Sequence, residues 1–274
     1  MTVEKYAVIG HPIEHSKSPL IHQAFAQQFN KSIVYERVLA PLDGFAATIA
    51  RLQADGYVGA NVTVPFKFEA FDACQDLSAR AQAAGAVNTL SFKASQLLGD
   101  NTDGCGLVND ILKHQQTRLA GKTILLLGAG GAAQGVVLPL LEQQPLKLTV
   151  ANRSLDKAQA MADRFAVDAA HVQVKLQVQT FADLSQGYDV VINATSAGLT
   201  DSVLHIPAMV FQQHTLAYEM MYGRDTPFMQ QARAAGARVA DGLGMLVEQA
   251  AEAFYLWHGL RPDTASVIQS FRQS

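Results

Sequence analysis

The sequence predicts an α/β protein of two domains, in which β-strands and α-helices alternate along most of the chain. Short apolar runs rich in β-branched residues are each followed by a helical pattern, which is typical of β-α units on a mostly parallel sheet. The alternation pauses at polar residues near Gln116 and Gly121 and then starts a second series. The chain is also long enough for two domains of ordinary size. We therefore expect a domain boundary near residue 103.

The first half of the chain contains the first series of strands and helices. Helices are predicted from Ser18 to Phe29, with Pro19 just inside the start, and over residues 43–54, with Asp43 as the candidate N-cap. Pro65 is expected to end the last strand of this series. The predicted strands lie at residues 6–10, 33–35 and 59–64.

The second half begins with a predicted helix over residues 103–115 and continues with a second series of strands. The first strand is an almost unbroken apolar run, as expected for a strand buried on both faces. Pro139 falls in a helical pattern, where we expect it to kink or strain the helix. The last long helix, residues 243–258, carries a wide apolar stripe, but periodicity does not decide which domain it packs on. The predicted strands lie at residues 123–127, 148–151, 172–178, 189–193, 215–220 and 238–241.

Composition and charge exclude several classes of protein. Apolar residues make up 49% of the chain and charged residues 16%, which is typical of a globular protein. The net charge of -3 gives no basic excess for nucleic acid. No apolar run approaches the roughly 20 residues that span a bilayer, and the N-terminus has no signal-peptide pattern. We therefore expect a cytoplasmic protein. Cys74 and Cys105 are expected to be reduced thiols, and no metal site is predicted.

A glycine-rich turn predicts a dinucleotide site. Residues 128–133 fit the pattern G-x-G-x-x-G/A between a predicted strand and a predicted helix, the context in which this motif binds a pyrophosphate. Glycines let phosphate oxygens approach the backbone, and the N–H groups at the helix start face the anion. A glycine-rich turn without a ligand is the alternative. The residues expected to bind the cofactor here are Gly128, Ala129, Gly130, Gly131 and Ala132.

The end of the next strand favours NADP over NAD. A site for NAD would place Asp or Glu there to accept from the ribose 2′-OH, but no acid occurs before Asp156. Asn152 is followed instead by the Arg153 guanidinium and the Ser154 hydroxyl, and Lys157 comes one turn later. These groups suit a 2′-phosphate. The alternative is an ordinary exposed arginine at a strand end that binds no ligand.

Polar clusters in the first half are candidates for substrate chemistry. Ser16 and Ser18 lie between a strand and a helix, where they could bind a carboxylate; equally, Ser18 could cap the helix. Lys67 follows a strand among apolar neighbours, where burial and a carboxylate could tune its proton affinity. Asp103 begins a predicted helix and could meet Lys67. Taken singly, the two could instead be a solvated lysine and a helix N-cap.

Taken together, these segments resemble the shikimate dehydrogenase family along nearly the whole chain. The resemblance implies an N-terminal α/β substrate domain, residues 1–103 joined by the C-terminal helices 245–274, and a C-terminal Rossmann NADP-binding domain over residues 104–244. It also implies that the last helices return to the first domain. The motifs that carry the resemblance are Val8–Pro19, Asn61–Lys67, Gly85–Thr89, Gly99–Gly104, the 128–133 turn, Asn152–Ser154, Asn193–Gly198 and Asp241–Val247.

The resemblance also implies a reaction, the reversible NADPH-dependent reduction of 3-dehydroshikimate to shikimate on the route to chorismate and the aromatic amino acids. Lys67 and Asp103 would be the catalytic pair. Glu219 stands where the family usually has Asp, which could alter a structural hydrogen bond. The oligomeric state, monomer or homodimer, stays open. Further implied residues are Ser16 and Ser18 at the substrate carboxylate with Tyr222 beside them, Thr63, Asn88 and Gln249 at ring hydroxyls, and Thr195, Gly244 and Met245 at the cofactor.

Other functions remain as alternatives. One is a dual quinate and shikimate dehydrogenase that uses NAD, although the acid that favours NAD is absent from the end of the second cofactor strand. Another is an NADP-binding sensor without catalysis, which loss of Lys67 or Asp103 would have indicated; both are present. A folate-type dehydrogenase rests on analogy of fold alone.

Overall fold

The computed structural model describes residues 3–93, 96–199 and 202–273. Tertiary contacts divide the chain into two compact units, residues 1–106 with 246–274 and residues 107–245. Each unit has a six-stranded sheet. The α/β class predicted from the alternating pattern is confirmed.

The first unit has parallel strands at one side of its sheet and short antiparallel strands at the other. β1, β2 and β3 run parallel, β5 runs antiparallel to β3 and β6, and β4 is parallel to β6 in the order β2-β1-β3-β5-β6-β4. The strands are β1 (Glu4–Gly10), β2 (Ile33–Leu39), β3 (Tyr57–Val62), β4 (Asp76–Leu77), β5 (Thr89–Lys93) and β6 (Gln96–Asp100). The helices are α1 (Ser18–Gln28), α2 (Phe45–Ala54), α3 (Lys67–Ala73) and α4 (Ala79–Ala84), with α5 (Asp103–Asn109) at the end.

The structure corrects several boundaries in this unit. Asp43 does not cap α2, because the N–H of Gly44 donates to the Pro41 carbonyl in a turn that makes Gly44 the N-cap. β3 ends at Val62, two residues early, because Thr63 already accepts from the N–H of Phe66 in the turn that follows. β2 continues to Leu39, four residues beyond the predicted strand, paired throughout with β1.

The apolar stripe of the last long helix packs on the first sheet. α10 (Leu243–His258) is followed by α11 (Thr264–Gln273), and both lie in the first unit from residue 246 onward. The Trp257 ring stacks on Tyr6 with 4.7 Å between centroids, and its Nε1 donates to the Leu90 carbonyl at 3.1 Å. A Cβ on Gly59 would lie 2.5 Å from that nitrogen, so β3 needs a glycine there. The expected return of the last helices is confirmed.

The second unit has an all-parallel sheet in the order β12-β11-β10-β7-β8-β9. Read from the other edge, the first strand in the chain lies in the middle and the third at one side, which is the doubly wound order of dinucleotide-binding domains. The strands are β7 (Thr123–Leu127), β8 (Lys147–Asn152), β9 (Lys175–Thr180), β10 (Val190–Asn193), β11 (Leu216–Glu219) and β12 (Arg238–Ala240). The helices are α6 (Gly131–Glu142), α7 (Leu155–Arg164), α8 (Ala166–His171) and α9 (Pro227–Ala234).

One boundary predicted in this unit needs adjustment. β9 begins three residues late because Val172 is the C-cap of α8 and Gln173 has a left-handed φ of 58°. Pro139 lies inside α6 and is buried, and the helix continues past it to Glu142. A π-helical turn, Asp110–His114, follows α5 within the predicted 103–115 helix. Within the described residues, the helices lack the combination of length and apolar character that crossing a bilayer would require.

Candidate active site

Four of the predicted site residues in the first unit follow the carboxyl ends of β1 and β3: Ser16 and Ser18 after β1, and Thr63 and Lys67 after β3. These strands are adjacent and parallel, so the segments that leave them start at one edge of the sheet. The N–H of Thr63 donates to the Ile9 carbonyl at 2.9 Å. A Cβ on Gly10 would lie 2.6 Å from the Thr63 side chain, so Gly10 makes room for it. Thr63 itself is half-buried.

Lys67 and Asp103 are brought together, although they are distant in the sequence. Each begins a short helix, α3 and α5 respectively. Lys67 Nζ donates to Asp103 Oδ2 at 2.6 Å, with side chains 31% and 18% exposed. A charged pair of this kind is both held in place and reachable by a small molecule. It can share or deliver a proton at a bound carbonyl or hydroxyl.

Asn88 orients the carboxylate of Asp103 from the side opposite Lys67. Its Nδ2 donates to Asp103 Oδ1 at 2.9 Å and to Thr102 Oγ1 at 2.9 Å, and its Oδ1 accepts from the N–H of Thr102. Asn88 is only 2% exposed. The two carboxylate oxygens are thus divided between the Lys67 ammonium and the Asn88 amide.

Gln249 reaches the same cluster from α10. Its Oε1 accepts from Asn88 Nδ2 at 3.3 Å and from Thr102 Oγ1 at 3.4 Å. Its Nε2 donates to the carbonyl of Leu246 one turn earlier in the helix. Because α10 packs on the first sheet, Gln249 joins the side chains of Asn88 and Thr102, which immediately precede β5 and α5.

Ser16 and Ser18 contact each other and do not cap α1. The Ser16 hydroxyl donates to Ser18 Oγ at 3.2 Å and accepts from the Ser18 N–H at 3.3 Å. The N-cap of α1 is Lys17, without a side-chain cap bond, so capping by Ser18 is the wrong alternative. Arg37 donates from Nε and Nη2 to the Ser16 carbonyl, at 2.9 and 2.6 Å. Sequence reasoning missed this contact, which fixes the loop from the neighbouring β2.

Tyr35, which is half-buried, and the buried Asn61 form a hydrogen bond that the sequence did not reveal. The Tyr35 hydroxyl donates to Asn61 Oδ1 at 2.7 Å, and Asn61 Nδ2 donates to the Asn88 carbonyl and to Thr89 Oγ1. Burial raises the pKa of Tyr35 well above its ordinary value, while a hydrogen bond with Ser18 acts in the opposite direction. An asparagine within the apolar run of β3 was the available signal.

The glycine-rich turn of the second unit has the geometry of an anion cradle. Gly128 has a φ of 106°, and a Cβ there would lie 3.2 Å from the Ala194 carbonyl. Gly130 is the N-cap of α6 in an extended conformation, and no atom lies within 4 Å of the position that a Cβ would take. The protein's own packing therefore leaves the space beside Gly130 open.

The start of α6 offers N–H groups to this space. The helical bond from the Gln134 N–H to the Gly130 carbonyl opens the helix, so the N–H groups of Gly131 and Ala132 have no intrahelical partner. The first turn contains no acidic residue, and both residues are exposed. A helix start with these properties favours a phosphate. Ala129, in the turn before it, is half-buried.

The residues predicted for a 2′-phosphate lie together where β8 ends and α7 begins. Arg153, Ser154 and Lys157 are all exposed. Asn152 Nδ2 donates to the Ser154 carbonyl at 2.9 Å, which fixes the turn. Ser154 is the N-cap of α7 without using its hydroxyl, so that hydroxyl is available to a ligand.

The remaining predicted residues lie in the second unit, each with a contact or conformation of its own. Thr195 donates from its N–H and its hydroxyl to Asn193 Oδ1, at 3.1 and 2.7 Å. A Cβ on Gly244 would lie 2.2 Å from the Asp110 carboxylate, so only glycine fits there. Met245 is buried, and Tyr222 is half-buried on the segment after β11. No group of three metal-ligating side chains is arranged to hold an ion in the described ranges.

Comparison with known proteins shows the family to which the chain belongs. Family models match residues 8–90 (shikimate dehydrogenase substrate binding domain), 110–205 (shikimate / quinate 5-dehydrogenase) and 242–270 (shikimate 5'-dehydrogenase C-terminal domain). A shikimate dehydrogenase (NADP(+)) of Methylobacillus flagellatus is 58% identical over 272 residues, which are 98% of this chain and 99% of the relative. The chain belongs to the shikimate dehydrogenase family.

Solved structures in and around this family share the architecture. Shikimate 5-dehydrogenase from Thermus thermophilus, in complex with NADP(H) and shikimate, is 31% identical with a TM-score of 0.87, and the match covers 99% of each chain. A 5-ketofructose reductase of Gluconobacter is 26% identical with a TM-score of 0.88, over 100% of this chain and 99% of its own. The fold therefore accommodates more than one substrate, and the choice among substrates depends on side chains.

Proposed function

We propose that the protein catalyses the reversible NADPH-dependent reduction of 3-dehydroshikimate to shikimate, a step toward chorismate and the aromatic amino acids. One observation carries this proposal: Lys67 and Asp103 lie 2.6 Å apart within a hydrogen-bonded cluster. The relative that is 58% identical is named for this reaction and for NADP. The paired charges also argue against a sensor that has lost catalysis.

The chemistry assigns different tasks to Lys67 and Asp103. NADPH supplies the hydride, and negative charge then grows on the oxygen of the reacting carbonyl. The Lys67 ammonium stabilises that charge and donates a proton to the oxygen. Asp103 holds the ammonium in place and accepts a hydrogen bond from the neighbouring substrate hydroxyl. In the reverse direction, Lys67 takes the proton from the shikimate hydroxyl.

The other polar residues would hold the ring of the substrate in position. Thr63, Asn88 and Gln249 bind ring hydroxyls, and the Asn88–Gln249 contact at 3.3 Å supports a common location for two of them. The paired hydroxyls of Ser16 and Ser18 bind the carboxylate, with help from Tyr222. In this assignment residues 1–103 with 245–274 form the substrate domain, and residues 104–244 the cofactor domain.

The glycine-rich turn at residues 128–133 and the end of β8 would hold NADP. The open space beside Gly130 and the N–H groups of Gly131 and Ala132 suit the pyrophosphate. The 2′-phosphate would be bound by Arg153, Ser154 and Lys157, with Asn152 shaping the turn. Thr195, Gly244 and Met245 complete the site, together with Gly128 and Ala129. We place the enzyme in the cytoplasm, without nucleic-acid or membrane partners, as a monomer or homodimer.

Quinate is the second candidate substrate, because the family model over residues 110–205 is described for both compounds. The test is a matrix of initial rates with shikimate or quinate against NADP or NAD, followed as reduced cofactor formed. We expect the highest kcat/KM with shikimate and NADP. A higher kcat/KM with quinate or with NAD, or no turnover of shikimate, would overturn the assignment.

A further inference from the structure

Glu219 is a carboxylate buried in the second unit without a cation beside it. It is 0% exposed, and none of the ion pairs among the described residues includes it. Burial raises the pKa of its carboxyl above the ordinary value, although hydrogen bonds from its neighbours act in the opposite direction. Such a group is costly to bury unless donors surround it. Its contacts therefore indicate what it does.

Hydrogen-bond donors surround the Glu219 carboxylate. Asn193 Nδ2 donates to Oε2 at 2.7 Å, Thr226 Oγ1 donates to Oε2 at 2.9 Å, and the N–H of Met221 donates to Oε1 at 3.1 Å. Glu219 and Asn193 are register partners at the ends of β11 and β10. Both carboxylate oxygens act only as acceptors, so an isosteric amide could not replace the carboxylate without turning an N–H₂ group toward a donor.

One branch of these contacts leads to the glycine-rich turn at residues 128–133. Because Asn193 Nδ2 is held by Glu219, Asn193 Oδ1 faces the other way and accepts both hydrogen bonds from Thr195. Thr195 Cγ2 in turn lies 3.2 Å from the position of a Cβ on Gly128. The orientation of the Asn193 amide thus determines where Thr195 sits beside the turn.

The other branch leads to the segment that carries Tyr222. Met221 precedes Tyr222, and Thr226 is the N-cap of α9 just beyond the segment. Both donate to Glu219, so the segment is tied at each end to the same carboxylate. Met221 also accepts from the N–H of Gly242 through its carbonyl.

We propose that Glu219 is a positioning residue that orients the Thr195 segment for NADP and the Tyr222 segment for the substrate carboxylate. The ligands named here rest on the proposed function. Glu219 touches neither ligand; it acts by fixing the amide of Asn193 and the two ends of residues 221–226. Its loss should therefore weaken the binding of both ligands more than it slows the chemical step.

The test exchanges donors and acceptors between Glu219 and Asn193. In Glu219→Gln the new N–H₂ group must face either the backbone N–H of Met221 or the Asn193 amide. Only the Asn193 amide can turn to accept from it, so we expect the N–H₂ group to face Asn193, which then turns and releases Thr195. Asn193→Asp alone places two carboxylates side by side. The double variant combines Glu219→Gln with Asn193→Asp. The amide at position 219 then donates to one oxygen of the carboxylate at position 193, and the other oxygen of that carboxylate still accepts from Thr195. Melting temperatures are recorded for all three variants.

NADPH affinity, measured by titrating the fluorescence of the nucleotide, is the main readout. For Glu219→Gln we expect the Kd to rise about tenfold, the effect of one or two lost hydrogen bonds, with the KM for shikimate rising more than kcat falls. The double variant should bring the Kd back to within about threefold of the wild type. A purely structural residue would change the melting temperature and leave the Kd unaltered.

Two results would overturn the proposal: an unchanged Kd in Glu219→Gln, or a double variant that binds NADPH no better than Glu219→Gln. If Glu219→Gln does not fold, Asn193→Asp is compared with the double variant, and tighter NADPH binding by the double variant supports the proposal while equal or weaker binding contradicts it. Because the titration needs no turnover, a wild type that binds NADPH but does not oxidise shikimate would contradict the proposed function alone.

Discussion

Asn88 Nδ2 lies 2.9 Å from Asp103 Oδ1, on the opposite side of the carboxylate from the oxygen that Lys67 contacts. Each oxygen of Asp103 therefore faces a donor. The arrangement needs an ionised carboxylate, because protonation or amidation would turn a donor toward a donor. Asn88 keeps the carboxylate of Asp103 from rotating. As a result, Asp103 holds the ammonium of Lys67 in a single direction.

Replacing Asp103 by Asn should break this arrangement. The new amide must direct its N–H₂ group either at the Lys67 ammonium or at the Asn88 amide, so one of the two contacts is lost. In both orientations the negative charge that holds the Lys67 ammonium is removed. We expect kcat with shikimate to fall about 100-fold or more, the usual contribution of a positioned acid–base group. Asp72→Asn, on the exposed face of α3, is the matched control and should keep the wild-type rate. Equal rates in Asp103→Asn and the control would remove Asp103 from the mechanism.

Gly130→Ala tests whether the space beside the turn belongs to a ligand. Gly130 has a φ of -95°, which any residue adopts, and an added Cβ would meet no protein atom within 4 Å. The melting temperature should therefore stay the same or rise slightly. The affinity for NADP should fall about tenfold or more, because the methyl group occupies the approach of the pyrophosphate. Wild-type affinity in this variant would show that the ligand lies elsewhere.

Arg153→Ala should change the preference between cofactors. An exposed guanidinium that binds a 2′-phosphate contributes to NADP but has no corresponding group on NAD. The KM for NADP is expected to rise about tenfold, the effect of a lost charge-assisted hydrogen bond, while the KM for NAD stays near its wild-type value. Arg118→Ala, another exposed arginine of the second unit, serves as the control. A parallel rise for both cofactors would contradict the assignment of the 2′-phosphate.

His22 should make the protein sensitive to acid. It is 0% exposed, with its ring 4.4 Å from that of Tyr35, and burial, with a smaller effect of His258, lowers its pKa to about 3. The unfolded chain binds this proton near pH 6.5, whereas the folded protein does not until about pH 3, so stability is lost as the pH falls through this window. The limiting slope is about 1.4 kcal/mol per pH unit.

The measurement is urea unfolding of the wild type and His22→Phe between pH 7.5 and pH 5. We expect His22→Phe to lose less of its unfolding free energy than the wild type over this range, whatever its stability at pH 7.5. His171→Gln, an exposed histidine at the end of α8, should follow the wild-type slope. Identical slopes for all three proteins would show that His22 takes up its proton equally in both states.

The parts of the fold that were predictable are those with strong local patterns. The apolar run of β7, the glycine turn after it and the stripe of α10 each identify an element within a few residues. The short elements α3, α4, β5 and β6 were not predicted from the sequence. Their conformations depend on tertiary packing.

The candidate site also contains both kinds of feature, residues that motifs predict and contacts that only the folded structure shows. Lys67 and Asp103 were recognisable from motifs, but the Tyr35–Asn61 bond joins residues 26 positions apart on different strands. The role of Glu219 depends on the register that places it beside Asn193. The sequence marks only one residue of each contact, Asn61 in the apolar run of β3 and Glu219 at the end of β11. The partner of each is set by how the strands pair.

The most direct test of the central claim is the initial rate of NADPH formation from shikimate and NADP, for the wild type and for Lys67→Ala, with NADP affinity measured in parallel. We predict measurable turnover by the wild type and a kcat lower by about 100- to 10,000-fold in Lys67→Ala, with the Kd for NADP unchanged. Absence of wild-type turnover, or an equal rate in Lys67→Ala, would contradict the account.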